Sequence, residues 1–306
     1  MIHSTQQISS HSRLATLAHC NRKYFHSYVE GLESTGELSA RLVAGKAGHA
    51  GLDAYYRTGS LEAGVEALQL EYGDFLPLGD DAFLTCGHLE GILHNYTETY
   101  NAEVWKPVPL KLSDLRQEAL IQQECTVTFE GIVVMSEASF VVRLSNGVPY
   151  IVRPDLIAED AEGLRVADHK WTCGWLGQMW SREKMSHQIR LYADGMSQLL
   201  GQPVRLGAIN AIHMGKQALN SKSKAQKFDR FLFEWSEGQI RESLDWLELQ
   251  REREEYLSCR TDSEGIMFAQ NPGSACSWCS FARLCEADPE RARPLRKLRE
   301  YRSKEQ

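Results

Sequence analysis

Residues Tyr150 to Lys170 read YIVRPDLIAEDAEGLRVADHK, and we expect the fold to be organised around this stretch. Two runs of β-branched and apolar residues, Tyr150 to Val152 and Leu164 to Ala167, flank a polar turn, Glu159 to Gly163, that ends in glycine. Strand-forming residues on both sides of such a turn predict a β-hairpin.

Charged residues stand where the two predicted strands end. Asp155 follows the first strand, and Asp168, His169 and Lys170 close the second. Alternate side chains of a strand share a face, so we expect Asp168 and Lys170 to point one way and His169 the other. The hairpin can bring Asp155 beside them, and convergent carboxylates favour a hard cation such as Mg²⁺ or Mn²⁺. The alternative is that both aspartates only end strands and that Lys170 is an exposed edge residue.

Composition places the chain among ordinary soluble proteins. It has 306 residues, 42% hydrophobic and 25% charged, which suffices for one large domain or two small ones. The sequence has no run of about 18 apolar residues, which argues against a membrane span. The start, MIHSTQQISSHSRL, does not resemble a signal peptide, so we expect a cytoplasmic protein. Eight cysteines in a reducing compartment are expected to be thiols or metal ligands.

The net charge of −7 argues against a protein that coats nucleic acid nonspecifically. A protein that acts on nucleic acid would then need local basic surface, because phosphate contacts come from individual Lys and Arg side chains. The basic residues that could supply it include Arg22, Lys23, Lys222 and Lys224. The alternative for each of them is an ordinary solvated side chain.

Hydrophobic periodicity predicts a helical first third. Ser9 or Ser12 could cap a first helix. Arg41 to Tyr56 (RLVAGKAGHAGLDAYY) predicts a second helix that carries His49, and its three glycines indicate that something packs closely against it. The segment Leu61 to Tyr100 is expected to be helical and supportive.

The remaining elements alternate between strand and helix. Asn146-Gly147 predicts a tight hairpin turn. Tryptophans between Trp171 and Trp180 could line a path for unpaired bases or pack in the core. The predicted strands are Glu118 to Phe129, Ala138 to Leu144, Pro203 to Met214 and Phe228 to Trp235, and the predicted helices are Ser181 to Leu200 and Ser236 to Leu257.

Three cysteines form a C-x2-C-x5-C motif near the end of the chain, at Cys276, Cys279 and Cys285. A metal or cluster site normally takes four sulfur ligands, and Cys20 could be the fourth. Four cysteines suit either an iron-sulfur cluster or Zn²⁺, and the spacing does not choose between them.

Taken together, these motifs resemble the PD-(D/E)xK nuclease superfamily. Pro154, Asp155, Asp168, His169 and Lys170 stand as its motif, with 12 residues between the two aspartates. Within it the chain is most similar to RecB-type exonucleases that carry an iron-sulfur cluster, which include CRISPR-associated RecB-like enzymes and nuclease domains of helicase-nucleases.

Further motifs of that branch occur in the same order along the chain. Gly45 and His49 match its G-x-x-x-H segment, and Gln188 and Tyr192, one helical turn apart, match its Q-x-x-x-Y motif. Arg153-Pro154-Asp155 replaces the usual Gly-x-x-Asp lead. The branch also has an acidic residue on an early strand, for which Glu118 and Glu124 are both eligible.

The resemblance implies an α/β fold with a central mixed sheet flanked by helices, a helical N-terminal part and an iron-sulfur-clasped C-terminus. It divides one composite domain into residues 1–110 with Cys20 and His49, a nuclease core at 111–235, and 236–306 with the last helix and the cysteine loop.

The resemblance also implies the roles of the site residues. The Mg²⁺ or Mn²⁺ ligands would be His49, Asp155, Asp168 and the carbonyl of His169. Lys170 would position a water or help to deprotonate it, and Gln188 and Tyr192 would orient the strand. A [4Fe-4S] cluster, or alternatively Zn²⁺, would be held by Cys20, Cys276, Cys279 and Cys285.

The function implied is a metal-dependent DNA exonuclease that acts on single-stranded ends in recombination, repair or DNA processing. A non-catalytic DNA-binding or scaffold protein, an endonuclease and an RNA-directed nuclease are the alternatives. A helicase or strand-annealing protein is a possible partner. The motif G-x-x-x-x-G-K-[ST] is not in the sequence, so any unwinding would need another chain.

Overall fold

Helices and strands alternate along the chain, and the computed structural model describes residues 8–34, 39–100, 105–111, 120–121, 132–134, 139–174, 176–215, 228–258, 271, 273–286 and 301–303. The α-helices among them are α1 (His11–His19), α2 (Asn21–Tyr24), α3 (Ala40–Thr58), α4 (Leu61–Tyr72), α5 (Cys86–Thr99), α6 (Leu176–Glu183), α7 (His187–Leu200), α8 (Glu237–Ser258) and α9 (Ala282–Glu286). The strands are β1 (Ser9–Ser10), β2 (Leu32–Ser34), β3 (Lys106–Pro107), β4 (Pro109–Lys111), β5 (Leu120–Ile121), β6 (Ile132–Val134), β7 (Phe140–Arg143), β8 (Pro149–Val152), β9 (Leu156–Asp160), β10 (Gly163–Thr172), β11 (Leu206–His213), β12 (Phe228–Glu234) and β13 (Tyr301–Ser303).

The described residues fall into two units. The central unit lies within 38–243, and the terminal unit combines the chain ends, within 1–37 and 244–306. In the terminal unit, β2 pairs antiparallel with β13, and Leu17, Tyr24, Phe25 and Leu257 form a small core. The three-part division predicted from the sequence stays a prediction.

A five-stranded mixed sheet organises the central unit, in the order β12-β11-β10-β9-β3. Strand β10 runs parallel to β11 and antiparallel to β9, and β12 is antiparallel to β11. Parallel neighbours need a crossover connection, and α6 and α7 supply it between β10 and β11. The predicted α/β fold with a mixed sheet is therefore confirmed.

The predicted hairpin exists, but its first strand was assigned wrongly. Strand β10 pairs with β9, with Leu156 opposite Ala167, and the turn between them is Ala161-Glu162. The run at Tyr150 belongs to β8, which pairs with β7 in a second sheet ordered β5-β7-β8. Arg153 to Asp155 separate β8 from β9 because Pro154 lacks the N–H that a continuous strand would donate.

One face of the mixed sheet packs against α3, α4 and α5. The side chains of Ala167 and Trp171 on β10, and of Ala208 and Ile212 on β11, lie in this core. Helix α3 supplies small buried residues at helical spacing, Ala40, Val43, Ala44, Ala47 and Gly48 among them, which lets it lie close to the sheet.

The opposite face of the sheet packs against α7. Gly195 lets α7 approach the β7–β8 hairpin, because a Cβ there would lie 2.6 Å from Cγ1 of Val152 and 2.9 Å from Cγ2 of Val142. The hairpin turns at Asn146-Gly147 as predicted, with Gly147 at a φ of 80°.

Two helix predictions need correction. Ser10, rather than Ser9 or Ser12, caps α1, because its side chain accepts a hydrogen bond from the backbone N–H of Arg13. The single helix predicted over Ser181 to Leu200 is two, α6 and α7, with Ser186 capping α7. Among the helices described above, none combines the length and apolar character that a bilayer span requires.

Candidate functional site

Asp155 lies in the short connection between β8 and β9, where the β9–β10 ladder stops. Its Oδ2 accepts a hydrogen bond of 2.5 Å from the backbone N–H of His169. The ladder register would place Pro154 opposite His169, but β9 pairs with β10 only from Leu156 onward, so the His169 N–H needs an acceptor other than a β9 carbonyl. The carboxylate of Asp155 therefore takes over the role of the missing strand partner and lies against β10.

Asp168 and Lys170 share a face of β10, as predicted. The Asp168 side chain is 5% exposed, and its Oδ2 lies 2.7 Å from Nζ of Lys170. Helix α7 covers this face: Nε2 of Gln188 donates to Oδ1 of Asp168 at 3.3 Å and lies 3.4 Å from the Tyr192 hydroxyl. A buried carboxylate is tolerated here because an ammonium and an amide both contact it.

The charges of three carboxylates act on Lys170. Burial alone lowers the pKa of this amine, but the charges of Asp168, Glu183 and Asp155 together raise the pKa above its usual value. Burial, together with the charges of Asp168 and Asp155, raises the pKa of Tyr192 to about 12. Lys170 is thus an ammonium and Tyr192 a neutral phenol across the physiological pH range.

His49 reaches the same place from α3. Its Nδ1 lies 3.5 Å from Oδ2 of Asp155. The neighbouring Gly48 allows this approach, because a Cβ there would lie 2.3 Å from Cε2 of Trp171 on β10. The prediction that a helix glycine marks a close approach is confirmed at Gly48, and Trp171 is a packing residue on this face.

The His169 ring points away from Asp168 and enters a buried polar network. The Tyr56 ring stacks on it, with 5.6 Å between centroids and 9° between planes. Nδ2 of Asn210 donates to Nδ1 of His169 at 2.9 Å and also contacts the Tyr96 hydroxyl at 2.9 Å. Burial and then the cationic charges of His49 and Arg230 lower the pKa of His169 well below its ordinary value, so the ring is neutral.

Arg230 anchors the outer side of this network from β12. Its Nη2 donates to the Tyr96 hydroxyl at 2.9 Å, which in turn lies 2.7 Å from the Tyr56 hydroxyl. The guanidinium lies 3.6 Å from the ring centroid of Tyr100 and 4.1 Å from that of Trp105. Stacked and hydrogen-bonded on several sides, it fixes the position of the network behind His169.

Six residues of the sequence prediction therefore come together in the central unit: His49, Asp155, Asp168, Lys170, Gln188 and Tyr192. Arg22 and Lys23 lie on α2 of the terminal unit, half-buried. Lys222, Lys224, Glu118 and Glu124 lie outside the described residues.

Glu183, Asn210, Tyr96 and Arg230 contribute to the site without having been predicted. Glu183 is buried at the end of α6, where its Oε1 lies 2.7 Å from Nη2 of Arg182. No sequence pattern marked Glu183 as a site residue, although it stands only five residues before the Q-x-x-x-Y motif. A polar Asn210 within the apolar β11 run LGAINAIH was the one visible signal, because a polar residue in a buried strand requires a partner.

The four cysteines of the predicted cluster site lie in the terminal unit. Cys20 separates α1 from α2, Cys276 lies in the turn Ser274–Trp278, and Cys285 is on α9. Burial, then the neighbouring charges of Cys279 and Cys20, raise the pKa of Cys285 to about 11, and Cys276 contributes in the same direction. The three other cysteines of the predicted set therefore act electrostatically on Cys285.

The central site suits a hard divalent cation. Among the described residues, no three His, Cys, Asp or Glu side chains already stand in the geometry of a metal site. The carboxylates of Asp155 and Asp168 nevertheless lie close together, because Asp155 binds the N–H of His169, which stands between Asp168 and Lys170 on β10. These two carboxylates outnumber the ammonium of Lys170, so a metal ion would neutralise the remaining negative charge. Carboxylates with an imidazole such as His49 suit Mn²⁺ and Mg²⁺.

Comparison with known proteins agrees with this chemistry. The sequence profile described as "PD-(D/E)XK nuclease superfamily" matches residues 9–286. No curated protein sequence matches. Fifteen chains of known structure match, among them one titled "Crystal structure of SSO0001", which is 14% identical and covers 87% of this chain and 94% of that chain, with a TM-score of 0.28.

Proposed function

Because the chain belongs to the PD-(D/E)XK nuclease superfamily, we propose that it is a metal-dependent DNA exonuclease that acts on single-stranded ends. The observation that carries the proposal is a chain of contacts: Asp168 lies 2.7 Å from Lys170, Asp155 binds the His169 N–H between them, and His49 lies 3.5 Å from Asp155. Two carboxylates around one ammonium are the side-chain types that phosphodiester hydrolysis needs.

We assign the metal ligands to Asp155, Asp168, His49 and the main-chain carbonyl of His169. When bound, Mg²⁺ or Mn²⁺ lowers the pKa of a water and stabilises negative charge on the phosphate oxygens. The hydrogen bond from the His169 N–H holds Asp155 against β10. Asp155 is thereby kept in position relative to the ligands on β10, which are Asp168 and the carbonyl of His169.

Lys170 acts in this proposal as a hydrogen-bond donor. Its raised pKa keeps it protonated, so it orients the attacking water or a phosphate oxygen through the ammonium protons rather than removing a proton. Gln188 and the neutral phenol of Tyr192 offer donors beside Asp168 and orient the substrate strand.

Degradation of an end-labelled single-stranded DNA, by anaerobically purified protein with Mn²⁺ or Mg²⁺, tests the function. Asp168→Asn removes the buried charge while keeping the side-chain shape and should abolish cleavage. Asp245→Asn, at an exposed position of α8, is the matched control and should cleave normally. A ladder of products shortened from one end would identify an exonuclease and its polarity. Cleavage of circular or RNA substrates would establish an endonuclease or an RNA-directed enzyme, and failure on all substrates would favour a DNA-binding protein.

We further propose that Cys20, Cys276, Cys279 and Cys285 hold a structural [4Fe-4S] cluster. Its support is the effect of Cys20, Cys276 and Cys279 on the pKa of Cys285 and the C-x2-C-x5-C spacing. Iron and sulfide content with the visible absorption spectrum tests this. Cys276→Ser should lose iron, whereas Cys86→Ser, at a thiol that contacts Glu90 in the central unit, should keep it. Stoichiometric zinc without iron would instead establish a Zn²⁺ site.

Protein partners follow from the reaction proposed. An exonuclease for single-stranded ends requires that another protein open duplex DNA, which a helicase does, and its products suit a strand-annealing protein. Co-purification with such a chain, and stimulation of cleavage of duplex ends by it, would support this part of the proposal.

A further inference from the structure

Helix α6 lies beside the face of the sheet that carries Asp168 and Lys170. Glu183 at its end is close enough to raise the pKa of Lys170. Trp180 stands three residues earlier in the same helix, and residues three apart lie on the same side of a helix. The Trp180 ring is therefore on the side of α6 that faces the candidate site.

Sheet register places a second set of rings on that face. Asp168 pairs with Ile209 on β11, and Ile209 pairs with Phe231 on β12. Side chains of paired residues lie on one face, so Phe231 and, two residues on, Phe233 share the face of Asp168. Two strand spacings separate Phe231 from Asp168, which is roughly 10 Å.

The two sets of rings meet. The centroid of Trp180 is 4.7 Å from that of Phe231 and 5.0 Å from that of Phe233, and it stacks on Phe233 with 29° between the planes. All three rings are partly exposed to solvent. One side of Trp180 is thus held by two phenylalanines, which fixes the ring without enclosing it.

An exposed cation stands one helical turn after Trp180. The backbone N–H of Lys184 donates to the Trp180 carbonyl at 3.0 Å, and the Lys184 side chain is exposed. Arg182 is 73% exposed, but it lies on another side of α6 and pairs with Glu183. In a chain of net charge −7, an exposed ammonium one helical turn from a fixed indole is a local exception that suits a polyanion with flat bases.

We propose that Trp180, backed by Phe231 and Phe233 and with Lys184 one helical turn away, is a stacking subsite for an unpaired nucleobase of the DNA strand that enters the active site. The proposal rests on the proposed function, because it takes the scissile phosphate to lie at Asp168. It adds the reason for strand preference: a base can stack on Trp180 only when it is not stacked and paired in a duplex.

Binding can be measured separately from cleavage. The probe is a fluorescein-labelled oligothymidylate, titrated with the full-length protein in Ca²⁺, with fluorescence anisotropy as the readout. Trp180→Leu should weaken binding about tenfold, in line with the worth of one stacked base, and Trp180→Phe should restore most of it. Trp246→Leu is the matched control, because Trp246 is also partly exposed but belongs to the terminal unit.

A second variant does not depend on core packing. Lys184→Gln changes an exposed side chain and should reduce the slope of log affinity against log salt by roughly 0.7, the value for one phosphate contact on a single strand. In addition, an oligonucleotide that carries 5-iodouracil should photo-crosslink to the peptide containing Trp180, which a purely structural tryptophan would not do.

The outcomes separate the two proposals. Wild-type protein that binds and cleaves, with Trp180→Leu binding equally well, overturns the stacking subsite and leaves the nuclease function intact. The subsite is also overturned if Trp180→Phe and Trp180→Leu lose DNA affinity equally, their melting temperature falls and no crosslink forms. That pattern would indicate that Trp180 only packs in the structure. Wild-type protein that neither binds nor cleaves overturns both proposals.

Discussion

The backbone N–H of His169 donates a 2.5 Å hydrogen bond to the side chain of Asp155, so the two halves of the motif are joined directly. The pairing of β9 with β10 ends at Leu156, so the ladder supplies no carbonyl for the N–H of His169. The orphan N–H on β10 is then satisfied by a carboxylate. Asp155 is fixed relative to Asp168 by this bond and by the strand that follows it.

Asp155→Asn should keep this hydrogen bond but remove the charge. The amide oxygen can still accept from His169, so the melting temperature should change little, whereas Mn²⁺ affinity measured by calorimetry should fall more than tenfold. Asp155→Ala removes the acceptor as well and should cost about 1–2 kcal/mol of unfolding free energy. Equal Mn²⁺ affinity in wild type and Asp155→Asn would show that this carboxylate is not a ligand.

Lys170→Met should destabilise the protein, because it leaves the carboxylate of Asp168 without its ammonium partner 2.7 Å away. The Lys170 side chain is 27% exposed, so water moderates the loss, and we expect about 2 kcal/mol in chemical denaturation. Lys46→Met, at an exposed position of α3, should be close to neutral. Added Mn²⁺ should recover part of the stability of Lys170→Met, since a cation at Asp168 replaces the lost charge. If Mn²⁺ stabilises wild type and Lys170→Met equally, a bound cation does not replace the charge of Lys170 at Asp168.

Local sequence pattern was enough for the strand that carries the motif. Alternation alone put Asp168 and Lys170 on one face, and the glycines of Arg41 to Tyr56 indicated the close contact that Gly48 makes with Trp171. These features follow from local periodicity and from the steric requirements of single residues, so they can be predicted before the fold is known.

The long-range pairing of strands could not be predicted from the sequence in the same way. Both Tyr150 to Val152 and Leu156 to Asp160 are apolar enough to be strands, and only the tertiary structure decides which of them pairs with β10. Glu183 stands at the end of α6 and its charge acts on Lys170, but the sequence predicted one continuous helix and gave no sign of the break that follows it.

His169 should make stability depend on pH. Its pKa is lowered in the folded state by burial and by the nearby cationic groups of His49, Arg230 and Lys170. The unfolded chain therefore binds a proton below about pH 6.5 that the folded chain does not, so stability falls as the pH drops, by up to about 1.4 kcal/mol per pH unit. The slope of unfolding free energy between pH 6.5 and 5 is the measurement.

His169→Gln should flatten this slope while retaining an acceptor for Asn210. His187→Gln is the matched comparison, because burial and Arg190 also lower the pKa of His187, but its ring is only partly buried and the change in slope should be smaller. A slope that is unchanged in His169→Gln would mean that His169 binds a proton in the folded protein as readily as in the unfolded chain.

Gly48→Ala should displace α3 from the sheet. The new Cβ would lie 2.3 Å from Cε2 and 2.4 Å from Cδ2 of Trp171, and a ring packed against a strand has little freedom to move away. Overpacking of this kind costs about 1–3 kcal/mol, which exceeds the helix-propensity gain of about 0.5–1 kcal/mol. Because His49 is the next residue, Mn²⁺ affinity should fall together with stability.

Gly45→Ala separates the two effects in the same helix. A Cβ at Gly45 meets no described atom within 4 Å, so only the helix-propensity gain remains, and chemical denaturation should show about 0.5–1 kcal/mol of added stability. Its Mn²⁺ affinity should match wild type. If Gly48→Ala behaves like Gly45→Ala in both measurements, the contact between α3 and Trp171 does not position His49.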